Sequence, residues 1–163
     1  MIASPYRVPA WARWSSLGLS LIGLALSIYL TIAHYRGSQI LACSDQGLVN
    51  CAVVTTSAQS RFLGMPVAVL GLANYLVMSA LVTPWAWRAP WRFVHLARFA
   101  LAAIAMVFVL WLVYAEIVVI GHLCMYCTGV HAVTFALLIV LTRVAPRQLG
   151  WAENSDSTQG APL

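Results

Sequence analysis

Four cysteines, Cys43, Cys51, Cys124 and Cys127, are the residues of this 163-residue sequence best suited to chemistry. Two of them form a CxxC unit inside GHLCMYCTGVH, residues 121–131, with His131 four positions beyond Cys127 and an apolar run continuing to Leu141. Thiols in such a unit exchange electrons by thiolate attack on a disulfide sulfur, at a rate that depends on a pKa near the ambient pH. Read as the first turn of a helix, the unit sits where unsatisfied backbone amides and the positive end of the helix dipole favour the thiolate. Residues three and four apart share a helix face, so Cys124, Cys127 and His131 form one stripe, which runs on to Phe135 and Leu138. The other pair, Cys43 and Cys51, encloses seven residues that include Asp45-Gln46-Gly47. Those are turn-forming residues, and the pair closes a disulfide if the backbone brings the α-carbons within roughly 4.4 to 6.8 Å.

The elements that must position these thiols are helices in a membrane. The sequence is 62% hydrophobic and 8% charged, against roughly 25% charged in an average soluble domain. Stretches 14–35, 66–83, 93–119 and 123–142 are each near the roughly 20 apolar residues that a bilayer core requires, and only the third carries charge, Arg98 and Glu116. The expected fold class is an all-α membrane protein, a bundle of four transmembrane helices. The first stretch is too long for the roughly 7 to 15 apolar residues of a cleaved signal. All nine basic residues are arginines. They are spread too thinly for a nucleic-acid surface, and seven of them flank one side of the spans, leaving only Arg36 and Arg61 on the other. By the positive-inside rule both termini are cytoplasmic. The loop 36–65 and all four cysteines then face the extracytoplasmic side, where disulfides form and persist.

Several other polar residues lie in or beside the spans. Glu116 near the outer end of the third span either exchanges protons during chemistry or pairs with Arg36 or Arg61. His131 is either a functional intramembrane group or a hydrogen-bonding partner for a neighbouring helix. Asn74, midway along the second span, is expected to hydrogen-bond between helices. Gly64-Met65-Pro66 reads as a helix start. A four-thiolate zinc site is a rival use of the cysteines, and haem ligation by His34, His122 or His131 is another. Residues 1–144 form the membrane domain in this reading, and the polar stretch 145–163 is a disordered cytoplasmic tail.

The order Cys43-x7-Cys51, Ser57, Gly64-Met65-Pro66, Gly71-xxx-Tyr75 and finally Cys124-xx-Cys127-Thr128 resembles the vitamin K epoxide reductase family in its bacterial form. The resemblance spans most of the chain. It implies a four-helix bundle around a quinone pocket, capped by the outer loop with a short helix. It implies that Cys43 takes electrons from a separate thioredoxin-like or DsbA-like partner, that Cys51 passes them to Cys124, and that Cys127 faces the quinone. Ser57 matches a serine beside the pocket, and Glu116 is placed with it. His131 stands where the vertebrate enzymes have a tyrosine, and Val67 where they have a quinone-contacting asparagine. These departures favour an ordinary respiratory quinone, menaquinone or ubiquinone, over an epoxide. The resemblance calls for no metal, flavin or haem, because the quinone carries the two-electron chemistry. Many bacterial relatives carry a fused thioredoxin-like domain, and none is read in this sequence.

Overall fold

The computed structural model describes residues 8–43 and 47–149. Helix α1 (Ala10–Arg36) leads into a loop that contains a short helix, α2 (Cys51–Thr56), and a two-stranded hairpin, β1 (Arg61–Phe62) and β2 (Met65–Pro66). Three further helices follow: α3 (Val67–Leu81), α4 (Arg92–Tyr114) and α5 (Met125–Gln148). Helix α4 continues as a π-helical segment, Ala115–Ile120, which ends on Gly121 in the left-handed region. Among the described residues three helices are long and apolar enough to cross a membrane: Ala10–Arg36, Arg92–Ile120 and Met125–Pro146.

Helix α1 packs along α3 and α5, and α5 packs along α4, whereas α3 and α4 touch less. The reason lies in the face that α1 buries: Ala12, Ser16, Ser20, Gly23, Ser27, Leu30 and Ala33. These are mostly small residues at spacings of three and four, while Ile22, Ile28 and Ile32 point outward. Where lipid is as apolar as leucine, helices associate through small residues that allow close approach. Gly23 illustrates the point, since a Cβ there would fall 2.1 Å from the ring of Tyr75 on α3. Tyr75 in turn reaches α5, its hydroxyl lying 2.8 Å from that of Thr134.

Helix α3 is shorter than the expected stretch 66–83. Its 15 residues span on the order of 22 Å, less than the roughly 30 Å hydrocarbon thickness. Both ends are set by neighbours. Pro66 pairs with Arg61 in the hairpin, so the helix cannot start earlier. At the other end Arg98 donates from Nε and Nη2 to the Leu81 carbonyl at 3.0 and 2.6 Å. Trp87 Nε1 donates to the Val82 carbonyl at 3.0 Å, and the Arg98 guanidinium lies 3.6 Å from the Trp87 ring centre. The chain is thereby folded back before α4. Around this lock a core of Ala12, Met78, Val82, Trp87, Leu141 and neighbours closes one end of the bundle.

Two boundaries differ from the sequence reading. The helix of the CxxC begins at Met125, with Cys124 as its N-cap in an extended conformation. Its other end runs to Gln148, so residues 145–148 belong to the helix rather than to a tail. The Leu149 amide still finds the Ala145 carbonyl at 2.9 Å, and Leu149 accepts from Arg92 at 2.5 Å. Residues 150–163 lie outside the described residues, as do Asp45 and Gln46 of the expected turn. Gly47 beside them has φ +72°.

Candidate active site

All four cysteines meet at the end of the bundle opposite the Arg98 lock. Cys43 and Cys51 are joined by a disulfide with α-carbons 6.0 Å apart, and Cys124 and Cys127 are free. Cys51 and Cys124, both 0% exposed, sit in one apolar cluster with Leu30, Ala33, Leu41 and Val54, and Cys43 and Cys127 pack against it. Main-chain pairing joins the two segments that carry these buried cysteines. The Leu123 amide donates to the Leu48 carbonyl at 2.8 Å, and the Asn50 amide donates to the Leu123 carbonyl at 3.0 Å. Val49 and Leu123 form a parallel bridge, so Cys51 and Cys124 each follow a residue of the same short ladder. Asn50 then starts α2, its side chain accepting from the Val53 amide at 3.0 Å, as N-cap asparagines do.

Cys124 lies just outside the Met125–Pro146 span. Its Sγ accepts the Cys127 amide at 3.4 Å. A hydrogen bond from the Cys127 side chain, the largest influence, holds the Cys124 thiol below its ordinary pKa against the opposing effect of burial. The Glu116 carboxyl faces the Cys124 backbone amide.

Beneath this cluster lies a cavity of about 450 Å³ between α1, α3, α4 and α5, within the roughly 300–1,000 Å³ range of small-molecule sites. Its wall is largely apolar, with contributions from Phe62, Ile104, Phe108 and Leu112. Cys127, Ser57, Glu116, Val67 and His131 all border it. The site residues expected from the sequence are thus divided between two adjoining places: Cys43, Cys51 and Cys124 in the thiol cluster, and Cys127 on the boundary between cluster and cavity. Ser57 donates to the Val54 carbonyl at 2.8 Å at the end of α2, which fixes its position on the rim.

A family model, that of the vitamin K epoxide reductase family, matches residues 14–142. The chain belongs to that family. Membership makes it a membrane thiol-disulfide oxidoreductase, and it sets the motif residues in a structural context. Gly64 has φ +84° in the hairpin turn, the ideal Cβ of Gly71 would come 3.4 Å from Ser27, and Tyr75 is the buried tie between α3 and α5.

Several expectations about single residues change. The stripe below Cys127 does not continue to Phe135, which is 54% exposed. It continues through His131 to Thr134, because 3.6 residues per turn carry the cavity face to position 134. Among the described residues Glu116 makes no ion pair with Arg36 or Arg61; it is buried at the cavity wall, where the π-helical segment turns it inward. His131 likewise borders the cavity and bonds to no neighbouring helix among the described residues. Asn74 borders the cavity too, and the helix-to-helix hydrogen bond expected of it is made by the adjacent Tyr75. The disulfide leaves a four-thiolate zinc site two ligands short. Of the three histidines considered for haem, His34 and His131 border the cavity, while His122 does not. Asn74 and Thr134 are two of the cavity residues that the sequence reading assigned elsewhere or passed over. Their signal was present as single polar side chains in apolar helices, which are functional candidates by default.

Proposed function

We propose that this protein transfers electrons from an extracytoplasmic thioredoxin-like or DsbA-like protein to a membrane quinone, and so supports disulfide formation outside the cytoplasm. The observation that carries the proposal is the position of Cys127, one sulfur of a reduced CxxC that borders an apolar cavity while its partner Cys124 is buried beside Cys51. In this reading α3 is the fourth span, shortened by the hairpin, and the loop 36–65 caps the quinone site.

The cycle begins when a reduced partner attacks Cys43, breaking the Cys43–Cys51 bond and forming a mixed disulfide that the partner's second thiol resolves. The freed Cys51 thiolate attacks the oxidised CxxC at Cys124, because exchange needs direct approach of thiolate to disulfide sulfur. Cys43 then attacks Cys51, restoring the loop disulfide and releasing Cys124 and Cys127 as thiols. That is the pattern of bonded and free cysteines in the structure. The dithiol reduces the quinone as the Cys124–Cys127 bond forms. Two electrons and two protons leave the thiols and are taken up as quinol. In this reading Glu116 and His131 on the cavity wall relay those protons, Asn74 donates to a quinone oxygen, Ser57, whose own proton goes to the Val54 carbonyl, accepts from the quinol hydroxyl, and Val67 leaves its side of the wall apolar. A DsbA-type oxidant near about −120 mV is regenerated only by something at least comparably oxidising, which a quinone pool supplies.

The test is quinone reduction by purified protein with dithiothreitol, comparing menaquinone with ubiquinone, alongside the Cys43→Ser variant. Cys43→Ser is expected to lose activity with a reduced partner protein and keep part of it with the small dithiol. Equal and complete loss with both donors would refute the relay order.

A further inference from the structure

The two arms of the loop disulfide are fastened to the CxxC end by different means. The Cys51 arm is held by main-chain bonds of residues 48 and 50 to Leu123, and its sulfur is fully buried. The Cys43 arm is held by two tyrosine hydroxyls. Tyr29 of α1 donates to the Ile40 carbonyl at 2.8 Å, and the same oxygen accepts the Ala42 amide at 3.2 Å. Tyr126 donates to the Ala42 carbonyl at 3.1 Å. The two rings meet edge to face with centres 4.9 Å apart, so they form one unit. Tyr126 is itself a middle residue of the CxxC, between Cys124 and Cys127. Its hydroxyl therefore ties the CxxC directly to the residue that precedes Cys43.

We infer that Tyr29 and Tyr126 form a catch that returns Cys43 to Cys51 in the exchange that frees the CxxC. While the Cys43–Cys51 bond is intact, the covalent link alone keeps Cys43 in place and the hydroxyl bonds are redundant. They matter after the partner has opened that bond. At that stage Cys51 is bonded to Cys124, and the Cys43 thiolate must attack Cys51. The step is an exchange without net oxidation: the Cys43–Cys51 bond forms, the Cys51–Cys124 bond breaks, and Cys124 leaves as the thiolate. Its rate depends on how often the Cys43 sulfur lies within reach, an orientation effect that positioned groups supply. The hydroxyls hold Ile40 and Ala42 against the CxxC whatever the bonding of Cys43, so they favour this return. Tyr29 and Tyr126 are positioning residues in this role, acting through the backbone of the Cys43 arm.

The inference rests on the relay proposed above, and the test separates the two. The variant Tyr29→Phe/Tyr126→Phe keeps both rings and removes the hydroxyls. The probe is the Cys51–Cys124 bond, trapped by acid and alkylation during turnover with a reduced thioredoxin-like donor and quantified by peptide mass spectrometry. The expected result is roughly tenfold more of this bond at steady state than in the parent, the weight of losing about 1.4 kcal/mol of hydrogen bonding. In a Cys43→Ser background, dithiothreitol-driven quinone reduction should be unchanged by the two substitutions. Equal amounts of the Cys51–Cys124 bond in parent and variant would overturn the catch. So would a fall in dithiothreitol-driven activity, which would assign the tyrosines to stability alone. Failure to trap that bond in Cys43→Ala after quinone has oxidised its CxxC, where Cys51 can attack Cys124 with Cys127 leaving and no Cys43 is present to break the new bond, would instead refute the relay.

Discussion

The two ends of the bundle are built on opposite terms. At one end the Arg98 guanidinium, 1% exposed, is satisfied by the Leu81 carbonyl, the His95 ring at 3.3 Å and the face of Trp87, inside a closed core. At the other end the reactive groups sit beside a cavity, and the loop over them is fastened by a short backbone ladder and two hydroxyls. A buried cation is costly unless its donors are paired, so the first end repays rigidity. Disulfide exchange requires sulfurs to change partners, so the second end must hold its loop without fixing it. The contrast implies that substitutions at one end act on stability and at the other on turnover.

The largest effect expected is complete loss of quinone reduction in Cys127→Ala with every donor, with thermal stability close to that of the parent. Activity with any donor would break the division between the two ends. Next is Arg98→Ala, expected to lower stability by about 3 kcal/mol, since it removes charged hydrogen bonds and a desolvated cation–π contact together. Unfolding in detergent measures this, and turnover per folded molecule should be retained. A loss of turnover without loss of stability would place Arg98 in the chemistry. A smaller effect is expected of Asn74→Leu: about a fivefold rise in KM for quinone with kcat little changed, the weight of one hydrogen bond of about 1 kcal/mol.

The smallest effect expected is a titration. Because the Cys127 side chain holds the Cys124 thiol below its ordinary pKa, Cys127→Ala should raise that pKa and move thiolate formation to higher pH. Ultraviolet thiolate absorbance, read with Cys43 and Cys51 replaced by serine, gives the value. An unchanged or lower pKa would remove the hydrogen bond as the cause.

Much of the helical layout was readable from the apolar stretches, because each long helix is coded locally by twenty or more residues without a break. The ends were less readable, since they depend on residues far away in sequence. Cys124 is outside its helix because Leu123 pairs with residues 48 and 50, and α3 stops at Leu81 because Arg98 binds the carbonyl there. The cysteine spacing allowed the loop disulfide, but it carried no information on which CxxC sulfur faces the cavity. That choice follows from the same ladder, which buries Cys124 in one cluster with Cys51. The hydrogen bond expected of Asn74 falls to Tyr75 for a related reason: Gly23 on α1 makes room for the Tyr75 ring, whose hydroxyl reaches Thr134 on α5, while Asn74 borders the cavity.

The most direct test of the account is anaerobic mixing of the fully reduced protein with quinone, following quinol by absorbance and the bonding of each cysteine by mass spectrometry through time. The account predicts that quinol appears together with the Cys124–Cys127 disulfide, and that the Cys43–Cys51 bond follows only afterwards. Quinol formed while Cys124 and Cys127 remain thiols would contradict it.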